Sequence, residues 1–480
     1  MFNFNRRDFL KGIAATAAFS PFGGMKLFAA DSDAGKTPKL RFGVVSDVHI
    51  TVAHNIETWE KTIQWFKEQD VDAVLVAGDI ADRGLLSELK DFSDSWYKIF
   101  PDDKGLNGKH VEKIFVCGNH DVEGFRYGKW KQRSKEDQDK IFQKTVIKDL
   151  PAAWDLCFHE EFKPIYVKQV KGYTFIGGHF SFYQKQLETF MKEYGPKIDP
   201  NMPFFYTQHQ QPGNTNYGPW CWGNDNGIAT RALSPFPNAI AFTGHSHYPL
   251  TDESGIWQDT FTSIGTASLR YIGHRYNREN SGYGGGPVEQ MPRMKDGHSK
   301  HGMLVSVFDD HIDIARRDFQ NDESLGEDWV LPLPLCKEKP YAIPPRAIKA
   351  RENLPVFEAD AGKLITAEDV DGKDRRGTPT PQTVVTFPTA LAGGRAFDYE
   401  VQAELNYYDV TRVFCTKRVF APDYFRTTSK LSKEGKCVFA RVAEVPEHVD
   451  IRFVVTPIDC YGNRGKSIYS KKFKLGEAKK

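Results

Sequence analysis

Short apolar runs alternate with helical patterns along the first two thirds of the chain. Leu40 to Val45 and Ala73 to Ala77 are apolar runs of strand length, and each predicts a buried strand. Further strands are predicted at Ile114 to Val116 and near Thr174, Phe204 and Ala239. Helices are predicted where apolar residues recur at helical spacing, at Ile56, Trp59, Ile63 and Phe66, at Leu86, Leu89, Phe92 and Trp96, and near 135–149. This alternation indicates an α/β core with helices on the faces of one sheet, where ligands bind beyond the carboxyl ends of the strands.

The pattern changes at about residue 335. Prolines are frequent from Leu331 to Pro345 and fit neither a helix interior nor a central strand, so residues 331–350 are predicted to be a linker. Short β-rich runs follow, at Thr383 to Phe387, Asp398 to Leu405, Arg412 to Phe420, Cys437 to Val442 and Asp450 to Thr456. They predict a smaller all-β sandwich domain over residues 351–480. Its ending, Val454 to Asn463, is similar to the last hairpin of a fibronectin type III-like module.

The first thirty residues have the layout of a signal peptide. A basic start precedes a short, weakly apolar stretch from Gly12 to Phe19, which is shorter than the roughly 20 residues that span a bilayer. The run from Arg6 to Lys11, Arg-Arg-Asp-Phe-Leu-Lys, resembles a twin-arginine export signal, and an ordinary secretory signal is the alternative. We therefore expect residues 1–30 to be a signal peptide, the protein to be periplasmic or secreted, and no stable membrane span.

The composition excludes some classes of function but does not indicate one. Apolar residues make up 40% of the 480, which is enough for a packed core, and the length favours two domains. The 64 basic and 63 acidic side chains nearly cancel, so no global field favours nucleic acid or an anionic membrane. The seven cysteines form no CxxC pair, which argues against a zinc knuckle and a thioredoxin-like motif.

Side chains that can bind metal follow the first predicted strands. Asp47 and His49 follow the first strand, and alternate residues at a strand end project the same way. Taken alone, such a pair is more often part of a solvated loop. Gly78 and Asp79 end the second strand, where glycine permits a sharp turn that leaves a carboxylate at the sheet rim.

Later strands end in similar motifs. Gly118-Asn119-His120-Asp121 follows the third strand, His209 follows the strand near Phe204, and Gly244-His245-Ser246-His247 follows the strand near Ala239. A lone histidine after a strand is more often a core residue, whereas two histidines one residue apart at a glycine turn favour metal. Because all these motifs end strands of one predicted sheet, they converge on one crevice with enough ligands for two ions. Mixed nitrogen and oxygen ligands suit Mn, Fe, Zn or Co better than Ca or Mg.

Taken in order from Asp47 to His247, the motifs resemble the five-block signature of the calcineurin-like metallophosphoesterases. The resemblance implies an αββα sandwich as the catalytic domain, predicted over residues 38–330. It implies two divalent metal ions bridged by Asp79. One would be held by Asp47, His49, Asp79 and His247, and the other by Asp79, Asn119, His209 and His245.

The implied activity is metal-dependent hydrolysis of phosphate esters, as a phosphatase or a phosphodiesterase. Two ions about 3.5–4 Å apart lower the pKa of a shared water, so that metal-bound hydroxide attacks phosphorus while the ions clamp the phosphoryl oxygens. His120, beside Asn119, is placed to protonate the leaving oxygen as a general acid. By resemblance Asp82 orients His120 and Arg83 contacts phosphate. The alternative is that these two residues cap and solvate the following helix.

The ligand set does not encode the substrate. Loops 210–227 and 270–286 carry aromatic and basic residues that suit a base, a sugar or a second phosphate, and packing of the loops by their own rings is equally compatible. His179, at another predicted strand end, is a further candidate for lining the site. We expect a small-molecule, glycan-linked or lipid-linked phosphate mono- or diester, and no nucleic acid. The alternative is a catalytically silent protein of this fold that binds or scaffolds at the cell surface, which the complete ligand set argues against.

Overall fold

The computed structural model describes residues 37–475 apart from 52, 125–133, 135–148, 219–220, 222, 274–298, 374–377, 408–409, 428–429 and 442–443. The predicted signal peptide and nearly all of the helix predicted near 135–149 lie outside the described residues. Residues Pro38–Lys480 form one compact unit.

Mixed sheets form the α/β part of the fold. Their strands are β1 (Leu40–Val45), β2 (Ala73–Ala77), β3 (Glu112–Val116), β4 (Ile165–Val170), β5 (Tyr173–Gly178), β6 (Phe204–Gln208), β7 (Ala239–Thr243), β8 (Ile256–Gln258), β9 (Thr262–Gly265), β10 (His301–Val307), β11 (His311–Asp318), β12 (Glu323–Ser324) and β13 (Trp329–Pro332). In the first sheet β1, β2 and β3 are parallel, and β10 to β13 extend it beyond β1 with antiparallel pairing. In the second sheet β5, β6, β7 and β9 are parallel, with β4 and β8 antiparallel at its edges.

Helices lie between the strands, and four of them, α1, α2, α5 and α6, connect neighbouring parallel strands. They are α1 (Ala53–Glu68), α2 (Leu86–Ile99), α3 (Asn119–Glu123), α4 (Leu150–Phe158), α5 (Leu187–Tyr194), α6 (Ile228–Leu233) and α7 (Ile343–Ala350). Helix α1 forms as its apolar spacing predicts, since Trp59, Ile63 and Phe66 are all buried on one face. Trp59 stacks on Phe92 of α2 with 4.2 Å between ring centroids, which joins the two helices over the first sheet.

The two sheets pack face to face through aromatic side chains. Phe42 on β1 meets Phe205 on β6 at 4.8 Å between ring centroids, and Phe175 on β5 at 5.2 Å, both edge to face. The opposite face of the second sheet is covered by α5 and α6, whose Leu187 and Leu233 pack in one cluster with strand residues. The layers are therefore helix, sheet, sheet and helix, which confirms the predicted αββα sandwich.

The C-terminal region is built from antiparallel strands. They are β14 (Pro355–Val356), β15 (Thr366–Lys373), β16 (Pro379–Pro388), β17 (Ala392–Gly393), β18 (Asp398–Tyr407), β19 (Val410–Phe420), β20 (Glu434–Ala440), β21 (Asp450–Ile458) and β22 (Ile468–Lys474). Sheet β15-β16-β20 packs on sheet β19-β18-β21-β22, for example through Phe439 and Phe453, whose centroids are 5.6 Å apart. This agrees with the all-β prediction, and the likeness to a fibronectin type III module stays a prediction.

One expectation needs correction. The prediction of one sheet was wrong, because β6 and β7 belong to a different sheet from β1, β2 and β3. The predicted linker holds the end of β13 at Pro332 and helix α7, where Pro344 lies in the first turn and its missing N–H is no loss. The domain boundaries stay a prediction. Thr251 Oγ1 donates to the carbonyl of Tyr424 at 2.7 Å, so the α/β and β regions are in contact.

Within the described residues, no helix is both long enough and apolar enough to cross a membrane.

Candidate metal centre

Every predicted metal ligand lies just beyond the carboxyl end of a strand, and the structure brings all of them together. Asp47 and His49 follow β1, Asp79 follows β2 and Asn119 begins α3 after β3. The second sheet supplies His209 after β6 and both His245 and His247 after β7. The centre therefore lies where the parallel strands of two facing sheets end, and each sheet contributes part of it.

Asp47, His49 and His247 form a first cluster, and all three side chains are buried. Asp47 Oδ1 lies 2.9 Å from His247 Nε2 and 3.8 Å from His49 Nε2. The two Nε2 atoms are 3.4 Å apart. One small cation could contact all three residues.

Asp79, His209, His245 and Asn119 form a second cluster around Nε2 of His209. Asp79 Oδ2 lies 3.2 Å from that nitrogen, and both His245 Nδ1 and Asn119 Oδ1 lie 3.0 Å from it. Asp79 faces the first cluster too, because the same Oδ2 atom is 3.6 Å from His49 Nε2. The Asp79 carboxylate thus stands between the clusters, as a bridging ligand must.

Three of the histidines are held by their other ring nitrogen. His49 Nδ1 lies 3.1 Å from Asp82 Oδ1, His209 Nδ1 lies 2.8 Å from the carbonyl of Ala77, and His247 Nδ1 lies 3.1 Å from the carbonyl of Tyr271. Oxygen acceptors at Nδ1 place the proton there and leave a lone pair on Nε2. This arrangement is typical of metal-binding histidines, whose second nitrogen is fixed by a hydrogen bond.

The same hydrogen bonds leave acceptor atoms facing each other. His247 Nε2 and the carboxylate Oδ1 of Asp47 are 2.9 Å apart, and in the described part of the chain this oxygen has no hydrogen-bond partner. Two buried acceptors at that distance repel unless a proton or a metal cation lies between them. The imidazole, carboxylate and amide donors therefore fit a divalent transition metal, with enough ligands for two ions.

The charge balance of the centre agrees with this fit. Burial opposes a charge on His49, but the surrounding carboxylates, Asp47 first, raise its pKa to about 10. Burial is likewise outweighed at His209, whose pKa rises to about 9 beside Asp79. The facing imidazoles overcome burial and hold the pKa of Asp47 and Asp79 below the usual range. The carboxylates thus favour positive charge where the Nε2 atoms converge.

The backbone is strained at the ligands. Five of the seven have positive φ, a region that side chains other than glycine seldom adopt: Asp47 at 50°, His49 at 49°, Asp79 at 51°, His245 at 71° and His247 at 55°. Such residues cost about 1–3 kcal/mol each and gather at functional sites. The strain turns the side chains inward at the strand ends.

Two glycines of the motifs serve close packing. A methyl group at Gly118 would overlap Oδ1 of Asp79, and one at Gly244 would overlap Oδ2 of Asp47. Any larger residue at either position would displace a ligand. The glycines before Asn119 and His245 are therefore needed for space.

His120, Asp82 and Arg83 have different surroundings. Burial lowers the pKa of His120, whose Nδ1 donates to the backbone carbonyl of Asp82 at 2.6 Å. The Asp82 side chain contacts His49 and Arg270 instead and lies 3.7 Å from His120 Nδ1. Against burial, His49 and then Arg270 hold its pKa at about 2. Arg83 is largely exposed, with Nε 3.8 Å from Asp82.

Asp82 does not cap helix α2, whereas the exposed Arg83 side chain agrees with the solvating alternative. Helix α2 begins at Leu86, and the acceptor for the backbone N–H groups of Arg83 and Leu85 is Glu88. Asp82 instead orients a predicted metal ligand through its carboxylate and His120 through its carbonyl.

The sequence reasoning missed residues that support the ligands. Asp121, within a recognised motif, accepts N–H bonds from Ile80, Ala81 and Gly118 and so fixes the loops after β2 and β3. Ser268, Arg270 and Tyr271 act from the loop after β9, whereas the sequence predicted only that residues 270–286 form a substrate loop. Only the pairing of strands brings that loop to the metal centre. No local sequence pattern could therefore have identified these residues.

His179 is a core residue. Its Nδ1 accepts from the backbone N–H of Cys117, its ring stacks on Phe162 at 4.3 Å, and burial lowers its pKa to about 3. Where loop 210–227 is described, its Tyr217 is buried against Tyr248, which lies outside the loop, after β7. Trp220 and Trp222 of that loop, with residues 274–286 of the second loop, lie outside the described residues.

Comparison with known proteins identifies the fold family of this region. Residues 40–249 match the sequence family described as calcineurin-like phosphoesterase. A search of curated proteins found no match.

Comparison with solved structures found matches at low sequence identity. A dimetal phosphatase from Danio rerio is 13% identical, with a TM-score of 0.36 over 62% of this chain and 99% of that one. GAP50, described as the anchor in the inner membrane complex of Plasmodium, is 13% identical, with a TM-score of 0.36 over 63% and 90%. Vps29 from Entamoeba histolytica, solved with zinc, is 10% identical, with a TM-score of 0.27 over 61% and 99%. Likeness this distant does not bear on the chemistry of this chain.

Proposed function

We propose that this chain, whose residues 40–249 are a calcineurin-like metallophosphoesterase domain, hydrolyses phosphate mono- or diesters with two divalent metal ions. The substrate class is a small-molecule, glycan-linked or lipid-linked phosphate ester. We also propose that the protein works outside the cytoplasm, on the basis of the Arg6-Arg7 leader.

One observation carries the proposal: the Nε2 lone pairs of three histidines converge on two buried carboxylates. His49 and His247 face Asp47, and His209 faces Asp79, while each Nδ1 is bound elsewhere. A structural histidine normally satisfies both nitrogens with polar partners of opposite character. Histidine Nε2 atoms and carboxylate oxygens that face one another, all of them acceptors, are expected of a metal site.

Bound divalent ions would activate water and offset the negative charge that builds up on the phosphoryl oxygens. Asp47, His49 and His247 would hold one ion, and Asn119, His209 and His245 the other. Asp79 is positioned to bind both, because its Oδ2 faces His49 and His209. The chain's own contribution is a set of donors whose side chains are fixed by hydrogen bonds and mostly buried.

His120 would supply the proton for the leaving oxygen. Its Nδ1–H is committed to the carbonyl of Asp82, so the transferable proton is held at Nε2 of the imidazolium. Its side chain is about a quarter exposed, unlike the buried ligands, and can reach a substrate. A phosphate group bound beside it would favour the protonated form and counter the effect of burial. Arg83, exposed beside Asp82, is proposed to contact a phosphate oxygen.

The test is turnover of generic esters by purified protein loaded with Mn²⁺, Fe²⁺, Zn²⁺ or Co²⁺. Para-nitrophenyl phosphate and bis-para-nitrophenyl phosphate distinguish monoesterase from diesterase activity. We expect hydrolysis of at least one, its loss on treatment with a chelator, and a loss of at least 100-fold in Asp79→Asn.

The matched control is His110→Ala, which removes a surface histidine that pairs with Glu112 and should retain wild-type turnover. If no metal supports turnover of either ester, or if Asp79→Asn is as active as wild type, the catalytic proposal is wrong. The first result would favour a binding or scaffolding role.

A further inference from the structure

The segment after β9, residues 266–271, wraps around the first metal cluster. Its Ser268 Oγ donates to the backbone carbonyl of Asp47 at 3.1 Å, and the carbonyl of its Tyr271 accepts from His247 Nδ1 at 3.1 Å. Thr266 Oγ1 donates to Ser46 Oγ, which in turn donates to Asp47 Oδ2 at 2.5 Å. Two of the three cluster residues are therefore held directly by this segment.

The third residue, His49, is reached through a side-chain relay. The guanidinium of Arg270 contacts Oδ1 of Asp82, and the same oxygen lies 3.1 Å from His49 Nδ1. Asp82 follows β2 in the first sheet, whereas Arg270 follows β9 in the second, so the relay links the two sheets. The relay is shielded from water, with about 19% of the Arg270 side chain exposed and 16% of that of Asp82.

Asp82 alone cannot hold the ring of His49 in place. A carboxylate rotates about its own side-chain torsions, and a planar guanidinium with fixed N–H directions restricts it. His49 has His247 Nε2 only 3.4 Å from its own Nε2, so a small rotation would misalign the donor pair. The backbone carbonyl of Asp82 also receives the bond from His120, so movement of this residue would affect both sides of the site.

We propose that Arg270 is a positioning residue that acts through Asp82 to orient His49, and so sets the affinity of the Asp47–His49–His247 cluster for its metal ion. This inference rests on the proposed metal function. This proposal differs from a role for Arg270 in substrate binding, because it predicts a change in metal affinity when no substrate is present.

The experiment measures Co²⁺ binding to the full chain by calorimetry and by the visible absorption of the bound ions, with no substrate present. Wild type should bind two Co²⁺ ions. In Arg270→Ala we expect one ion to bind about 10–100-fold more weakly while the other is unchanged, since loss of an outer partner costs that much. The absorption bands of the weakened ion should shift, and Arg270→Lys should recover part of the affinity.

Asp82→Asn serves as the second variant, because it keeps the size of the side chain and removes its charge. It should weaken the same ion, and the double variant should be no weaker than the more affected single variant. Arg441→Ala is the matched control: this arginine in the β region is 16% exposed and pairs with Asp369 at 3.2 Å. Its loss should leave both Co²⁺ affinities unchanged.

Wild type that binds no Co²⁺ would contradict the proposed function itself. Wild type that binds two ions, with a folded Arg270→Ala variant that binds both equally well, would overturn the inference alone. A raised KM for a phosphate ester with unchanged Co²⁺ affinity would also overturn it, because Arg270 would then act on substrate.

Discussion

At the scale of the residue, His120 has the most specific proposed role, because its Nδ1 is fixed by the carbonyl of Asp82 and its side chain is about a quarter exposed. A general acid matters most when the leaving group is a poor one. We expect His120→Asn to slow hydrolysis of an alkyl phosphate by about 10²–10⁴-fold and that of para-nitrophenyl phosphate much less. Steady-state kinetics on the two esters measure the difference.

Equal losses on both esters would contradict the acid role and place His120 among the metal ligands. Its ring lies edge-on to His49 at 4.5 Å between centroids, so that outcome has a structural basis. Metal analysis of the same variant separates the two roles, since an acid can be removed without loss of metal.

His179 predicts a pH effect on stability. Burial lowers its pKa from 6.5 to about 3 in the fold, so between these values the unfolded chain binds a proton that the folded chain does not. The free energy of unfolding is therefore unaffected above pH 6.5 and falls as pH drops below it, by up to about 1.4 kcal/mol per pH unit from this group. In His179→Gln, urea unfolding between pH 6.5 and 4 should show a shallower dependence on pH. An unchanged dependence would contradict this reading.

The metal ligands could be predicted from the sequence, because their residue types, and the glycines of their motifs, follow one another along the chain in a recognisable order. The backbone strain at the ligands could not be predicted from the sequence. Positive φ at Asp47, Asp79 or His247 results from the closing of two sheets around the site. For the same reason Arg270 appeared only as a loop residue: its contact with Asp82 spans 188 positions.

At the scale of the element, the loop after β6 depends on one buried carboxylate. Asp225 accepts N–H bonds from Gly213, Gly227 and Ala229 at 2.8–2.9 Å and from the Gln208 side chain at 3.0 Å. The loop it folds presses Gly223 against the ring of His245, where a methyl group would overlap Nε2. Asp225 therefore supports the second cluster from outside.

Replacing Asp225 with alanine leaves buried donors without an acceptor, each costing about 1–3 kcal/mol. We expect the free energy of unfolding to fall by about 3–5 kcal/mol and the loop to become sensitive to protease. Asp199→Ala, at an exposed turn, is the comparison and should change stability by less than about 0.5 kcal/mol. Equal stability of the two variants would argue against the role of Asp225.

Periodicity predicted β1, α1, β2, α2 and the C-terminal strands, because their burial follows local patterns. The sequence also carries the alternating pattern of a strand at β11, whose buried and intermediate residues alternate, although that strand was not predicted. Local sequence patterns could not predict the pairing of β10 with β1 or the division into two sheets. Such long-range pairing is decided by packing, as at Phe42, Phe175 and Phe205.

At the scale of the whole molecule, the α/β and β regions form one unit. Besides Thr251 and Tyr424, Arg426 of the β region pairs with Glu323 at 3.3 Å, and the Asn463 side chain donates to the carbonyl of Ala347. Apolar residues of both regions belong to one continuous core. The β region therefore stabilises the α/β part while lying outside the metal ligands.

We propose that the Arg6-Arg7 leader directs export by the twin-arginine route. A twin-arginine signal is read by a receptor, and lysine keeps the charge but not the planar guanidinium. In a bacterial host with that pathway, replacing Arg6 and Arg7 together by lysine should retain the protein in the cytoplasm, as cell fractionation would show. Lys26→Arg, within the same leader, should leave export unchanged. Normal export of the double variant would assign the leader to the general secretory route.

The most direct test of the central claim is anomalous X-ray diffraction from crystals of the protein loaded with Mn²⁺. We expect two anomalous peaks about 3.5–4 Å apart, one among Asp47, His49 and His247 and one among Asn119, His209 and His245, with Asp79 between them. No peak at these residues, or a single peak that leaves one cluster without metal, would contradict the dinuclear assignment.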